Sequence, residues 1–192
     1  MGYFRQEDIE KINQELDLVK HRYSNLLTKL WDLSNNLKEE KAKEYLLHGA
    51  MRRLRIIQRC IENIFTIFPL ERKTLLEQNE LDDVMINLHA FFIDIFGFLD
   101  NLAWVVIHEK RLADKIEKKK IGLFKKEAKA EFAPEFRTYL ESGKIKIWYD
   151  EYLTNYRDAL SHRIPLYVPP KMLNPDQNVS AQKKWEASIE GS

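Results

Sequence analysis

The stretch QEDIEKINQELDLVKHRYSNLLTKLWDLSNNL, residues 6–37, carries Ile9, Ile12, Leu16, Val19, Tyr23, Leu26, Leu30, Leu33 and Leu37 at alternating steps of three and four. Such steps keep the apolar side chains on one stripe of a helix, so the spacing predicts a helix over about Gln6 to Asn36 with a coiled-coil-like seam. An intermolecular coil or a long antiparallel hairpin inside the domain would use that seam. The hairpin is favoured, because another apolar helix follows at once.

Working outward, Asn35-Asn36 marks a bend into a second helix, roughly Glu39 to Ile67, with Leu46, Ala50, Leu54, Ile57, Ile61, Ile64 and Phe68 on its core face and Pro69 ending it. Asn79, with Asp82 three residues later, predicts an N-cap for a third helix running to about Lys110. Its expected core stripe is Leu81, Met85, Leu88, Phe92, Ile95, Leu99, Leu102 and Val106. Asp94, Asp100 and Asn101 interrupt the apolar run Leu88 to Ile107. A membrane span needs about 20 uninterrupted apolar residues, so the run reads as a buried core helix.

Lys110 to Lys129 holds nine basic and three acidic residues with Gly122 as a hinge, and reads as a solvated loop that can also steer RNA. A short helix over Pro134 to Glu141 is followed by a Ser142-Gly143 stop and a last helix from about Lys144 to Ser161. Pro165 then forces an exit, and Ile164 to Pro170 is expected to run extended along the bundle. The expected fold is all-α, an up-and-down bundle of four to five helices over residues 1–173 with a Pro-rich C-terminal extension. Residues 174–192 read as a polar, frayed tail.

The 192 residues suffice to bury one core without a disulfide or metal. Lys and Arg total 31 against 30 Asp and Glu, so any attraction to an anionic partner must come from a local patch. The single Cys60, among Ile57, Ile61 and Ile64, reads as a buried core thiol. The N-terminus turns charged before an apolar run can form, so no signal peptide is expected and a reducing cytoplasm is the expected setting.

The chemistry gathers at Arg157-Asp158-Ala159-Leu160-Ser161-His162, near the end of the last helix. Asp158 and His162 are four apart, hence on one helical face, where a carboxylate can fix the tautomer of an imidazole. Arg157 and His162 lie about 140° apart around the axis and meet only if the last turn frays toward a shared cleft. This R-x4-H pattern in the last core helix of a small helical domain resembles the motif of HEPN (higher eukaryotes and prokaryotes nucleotide-binding) domains. His162-Arg163-Ile164-Pro165-Leu166-Tyr167-Val168-Pro169-Pro170 is similar to the tail of a bacterial HEPN subgroup. The resemblance spans about residues 40 to 170 and leaves the first helix as an embellishment.

The resemblance implies a homodimer whose two motifs face one cleft. It also implies one of two activities: metal-independent RNA endonuclease, in toxin-antitoxin, phage-defence or RNA-processing systems, or a catalytically silent module that binds nucleotides or protein partners. No cofactor or metal is implied; a cognate antitoxin is a possible partner. In some HEPN toxins a Tyr two residues after the motif His is nucleotidylated by the antitoxin. Ile164 stands there in this chain, and the nearest downstream Tyr is Tyr167.

For RNA cleavage without metal, His162 would serve as base or acid, Arg157 would hold the scissile phosphate, and Asp158 would orient His162. One His cannot be base and acid in the same step, so His162 of the partner subunit is the natural second participant. The plainer reading makes Arg157-Asp158 a surface pair and His162 a C-terminal cap. Asn87, Asp94, Asn101 and His108 recur every seven residues, with Ala90 and Gly97 between them. Asp94 or Asn101 is the candidate anchor for Arg157, with a solvated or interface stripe as the alternative. Arg52, Arg55 and Arg59 share a face of the second helix and either hold RNA phosphates or pair with acids such as Glu62. No paired-histidine metal spacing and no Gly-rich phosphate loop occurs.

Overall fold

The periodic seam folds as the first helix, α1 (Gln6–Asn36), in a computed structural model that describes residues 4–163 and 168, with Ser161 and His162 described for their backbone alone. Ile9 and Leu30 are buried on its inner face. The seam departs from expectation at its end. Leu33 is 41% exposed, and Ser34 takes the buried position, its hydroxyl donating to the Trp31 carbonyl at 2.6 Å. That bond satisfies the hydroxyl, so burying Ser34 leaves no unmet polar group.

After the bend the chain is helical over α2 (Glu40–Glu44), a π-helical segment Tyr45–Ala50 and α3 (Met51–Ile67). The run lies antiparallel to α1 and packs on it, with Leu30 against Ala42, Leu46 and Ala50, and Val19 beside Ile57 and Ile61. The hairpin inside the chain is therefore observed.

The third long helix, α4 (Gln78–Glu109), is the central one, in contact with α2, α3, the first π segment and the C-terminal helices. Its best 18-residue window has a mean hydropathy of 1.8, apolar enough to cross a bilayer by length and composition alone. Its start corrects the expected Asn79 cap. Glu77 is the N-cap, and its side chain accepts from the backbone of Glu80 while the Glu80 side chain accepts from the Glu77 backbone. Arg72 reinforces this end, donating to Glu80 at 2.6 and 2.9 Å and to the carbonyls of Ile67, Thr74 and Leu75.

At the other end the Glu109 carboxylate accepts the backbone N–H groups of Lys38 and Glu39, at 3.0 to 3.1 Å, and so caps the start of α2. Arg111 follows in the left-handed region, φ 56, with Leu112 N–H reaching back to the Ile107 carbonyl at 2.9 Å. This cap normally favours glycine. Here Arg111 is held by donating to Glu39 at 2.7 and 2.9 Å.

The basic segment is no solvated loop. It forms a 3-10 turn (Lys118–Lys120) and a short helix α5 (Lys126–Lys129), and with Phe132 just beyond it buries Ile121, Leu123 and Ala128 against Ala103, Ile107 and Leu140. Its apolar residues enter the core while Lys118, Lys119, Lys120, Lys125 and Lys126 stay exposed. Helix α6 (Pro134–Glu141) spans the expected residues with Pro134 at its first position.

The last helical run joins α7 (Gly143–Ile147), a second π segment (Trp148–Leu153) and α8 (Thr154–His162). Among the described residues there is no strand, and the fold is all-α. Val168 packs against the cluster of Leu76, Leu81 and Val84. The remainder of the expected Pro-rich extension, and the polar tail, lie outside the described residues.

Candidate functional site

Helix α8 docks on α4 through aromatic contacts, Tyr156 stacking on Phe92 with ring centroids 4.5 Å apart. One residue on, the Arg157 guanidinium lies over the Phe96 ring, 4.6 Å from its centroid. Tyr149, from the π segment, stacks on Phe124 at 3.7 Å and flanks Phe96 at 6.0 Å. The flat guanidinium is thus set on an aromatic floor, a cation–π arrangement that fixes its plane. Its Nε is buried, lies 3.1 Å from the Asp158 carboxylate, and is not aligned to donate to it. The pair is a Coulombic contact between neighbours, and it leaves the guanidinium edge facing a cleft.

Two clefts meet at this arginine. The larger, about 610 Å³, is lined by Phe96, Phe124, Tyr149 and Arg157 with Lys125, Lys129 and Lys146. The smaller, about 480 Å³, is lined by Phe96, Gly97, Trp104 and Arg157 with Arg53, Lys118, Lys119 and Lys125. Phe96, Lys125 and Arg157 belong to both, so the two form one groove. In the larger cleft the acids are spoken for: Glu141 pairs with Lys129 at 2.7 Å, and Asp150 with Lys146. Among the described residues the smaller cleft is lined by one carboxylate, Asp100, and five cations. Burial pushes the Asp100 carboxyl above the usual range, opposed by Lys125, Arg157 and Arg53. Burial likewise raises the Tyr149 phenol, with Asp100 adding to it.

The expected residues separate into groups. Arg157 and Asp158 come together. The side chain of His162 lies outside the described residues, so its approach to either neighbour does too. Asp94 and Asn101 share one stripe of α4, as the sequence suggests, but their partner is Arg53. Arg53 Nη1 donates to Asp94 at 2.6 Å, and Nε donates to the Asn101 side-chain oxygen at 3.1 Å. The guanidinium crosses α4 at Gly97, where a Cβ would lie 2.5 Å from Cζ. Asn87 meets Asn63 at 2.9 Å, and His108 sits in an aromatic cluster with Tyr45 and Trp104, its imidazole pushed down by burial.

Arg52, Arg55 and Arg59 stay exposed on another face of α3 and line neither cleft. Arg52 and Arg55 border a separate depression with Trp31 and His48, and Arg52 lies 2.9 Å from His48 Nδ1. Arg59 pairs with Glu62 at 3.3 Å, as the plainer reading expects.

The residues that sequence reasoning passes over are Arg53, Phe96 and Tyr149. Arg53 differs from its neighbours Arg52 and Arg55 only in the side of the helix it occupies. The basic segment was the visible signal for the remainder, since it supplies Lys118, Lys119, Lys125 and Lys129 to the groove. Among the described residues no three His, Cys, Asp or Glu side chains converge as metal ligands. No protein-family model, curated protein or solved structure matches the chain.

Proposed function

We propose that the protein is a metal-independent RNA endonuclease that lays the RNA backbone in the groove at Arg157 and works as a homodimer. The observation that carries the reading is the place of Arg157: a guanidinium oriented by the Phe96 ring at the junction of two lysine-rich clefts. A basic groove floored by aromatic rings suits single-stranded RNA, because cations meet phosphates and rings meet bases.

In the reaction a base takes the proton of a 2′-hydroxyl, whose oxygen attacks the adjacent phosphorus. The bond to the 5′-oxygen breaks, and that oxygen receives a proton from an acid, leaving a 2′,3′-cyclic phosphate and a 5′-hydroxyl. Arg157 neutralises charge on the phosphorane and donates to its oxygens bidentately. His162 is assigned one proton transfer and His162 of the partner subunit the other, since imidazole exchanges protons near neutral pH.

The test is incubation of the protein with total RNA in EDTA beside the variants His162→Ala and Arg157→Ala. Cleavage by the wild type that both variants lose supports the proposal; RNA profiles identical in all three overturn it. A catalytically silent RNA- or partner-binding module is the second reading, favoured by the 3.1 Å approach of Asp158 to Arg157. It expects RNA to be bound without cleavage, equally well by the wild type and His162→Ala.

A further inference from the structure

Resting on that reading, we infer that the smaller cleft is a second phosphate subsite of the groove, in which Arg53 holds an RNA backbone phosphate next to the one at Arg157. Arg53 stands apart from the other arginines of α3. Its guanidinium is fixed on two sides, by Asp94 at 2.6 Å and Asn101 at 3.1 Å. Nη2 makes no hydrogen bond to the described residues, and the side chain keeps 37% of its exposure at the cleft. An arginine already held by neighbours loses little freedom when it takes a ligand, and a planar fork with a free edge suits a phosphate oxygen.

The surroundings give the ligand its sign. Arg53, Lys119 and Arg157 each stand beside a carboxylate, Asp94, Glu117 and Asp158, whereas Lys118 and Lys125 have no ion-pair partner among the described residues and leave the cleft cationic against Asp100. Gly97 makes room for the arrangement, since any side chain there would occupy the space of the Arg53 guanidinium. Phe96 and Arg157 border both clefts, so a phosphate held at Arg157 lies at the edge of the cleft that holds Arg53. Asp94 and Asn101 are positioning residues here; they act through Arg53.

The experiment measures fluorescence anisotropy of a labelled single-stranded RNA of about 12 nucleotides, 2′-O-methylated throughout so that it cannot be cleaved, over a series of salt concentrations. The full chain is compared with Arg53→Gln, Lys118→Gln/Lys119→Gln and Arg157→Ala, with helix content followed by circular dichroism. The subsite expects Arg53→Gln and the double lysine variant each to weaken binding about three- to tenfold at low salt. It also expects the slope of log affinity against log salt to fall by about 0.7 for each phosphate the variant no longer neutralises. The lysines are exposed and make no core packing, so their variant decides even if Arg53→Gln fails to fold. If the double lysine variant binds as tightly as wild type, with an unchanged slope, the second subsite is overturned while the effect of Arg157→Ala still upholds RNA binding. If the wild type does not bind the RNA, the parent reading and the subsite fall together.

Discussion

Gly97→Ala should destabilise the protein, although the same exchange in the middle of a helix ordinarily stabilises it by about 0.8–1.0 kcal/mol. The new Cβ would sit 2.5 Å from Arg53 Cζ, 2.6 Å from Nη1 and 2.7 Å from Nε. Ordinary contact begins near 3.4 Å, so the guanidinium has to move by roughly 1 Å. It cannot do so and keep both the 2.6 Å bond to Asp94 and the 3.1 Å bond to Asn101. A hydrogen bond to a charged group contributes about 1.5–3 kcal/mol, and partial exposure of Arg53 reduces the loss because water replaces part of it. Asp94, whose side chain is 12% exposed, gains little such replacement. Taking about 2–3 kcal/mol for the disrupted pair and subtracting the helix gain leaves a net loss of about 1–2 kcal/mol. At this chain length that lowers Tm by roughly 2–8 °C.

Differential scanning calorimetry reads the shift, with Gly143→Ala as control, since nothing lies within 4 Å of a Cβ at that position. The deciding comparison is Gly97→Ala placed in an Arg53→Ala background, where the obstacle is gone and the sign should reverse to a gain of up to about 1 kcal/mol. A higher Tm for Gly97→Ala in the wild-type chain, or the same change in both backgrounds, would refute the steric argument.

Two further outcomes are expected. Arg72→Lys should lower the urea midpoint, by about 1–3 kcal/mol in free energy, because an ammonium cannot serve Glu80 and three carbonyls at once from a side chain only 16% exposed; a midpoint equal to wild type would refute this. Backbone N–H groups of Lys38 and Glu39 hold the Glu109 carboxyl below the usual carboxylate range, so its folded-state pKa is depressed. Its stabilisation is therefore present above the unfolded value of about 4.3 and lost as pH falls through the lower folded value. The Tm gap between wild type and Glu109→Gln should be widest near neutral pH and close toward pH ~3; a gap independent of pH would contradict the capping role.

The long helices were legible because each pairs a steady apolar period with a stop signal. Helix α1 ends at the Asn35-Asn36 bend, and α6 begins at Pro134, as read. The cap of α4 was misplaced because Asn79 with Asp82 and Glu77 with Glu80 have the same spacing. Choosing between them needs Arg72, which fastens Glu80 from outside the helix. The π segments were not legible at all, since a periodicity argument assumes a constant turn per residue. That matters most in the last helical run, where Trp148–Leu153 shifts the phase between α7 and α8 and so the face on which Tyr149 is set relative to Arg157. The seven-residue recurrence of Asp94 and Asn101 correctly marked one stripe of α4. Recurrence alone could not say which neighbouring helix covers the stripe, and Arg53 of α3 does so.

The near-neutral charge of the chain, +1, concealed the groove for a physical reason. Charges farther apart than about 8–10 Å are screened in physiological salt, so a ligand in the groove responds to the side chains that line it and hardly to the whole-chain sum. Among the described residues those side chains are seven cations and three carboxylates. Glu141 and Asp150 are each paired with a groove lysine, and Asp94, Glu117 and Asp158 stand behind Arg53, Lys119 and Arg157, so Lys118 and Lys125 carry the surplus. Much of the acid that balances the total is spent elsewhere, as in the exposed helical pairs Arg5–Asp8, Lys20–Asp17 and Lys41–Glu44. Such pairs neutralise themselves locally and project little field. What decides the groove's polarity is therefore the burial of the apolar residues in the basic segment: by drawing Ile121, Leu123 and Ala128 into the core, the fold fixes Lys118, Lys119, Lys125 and Lys129 beside Arg157.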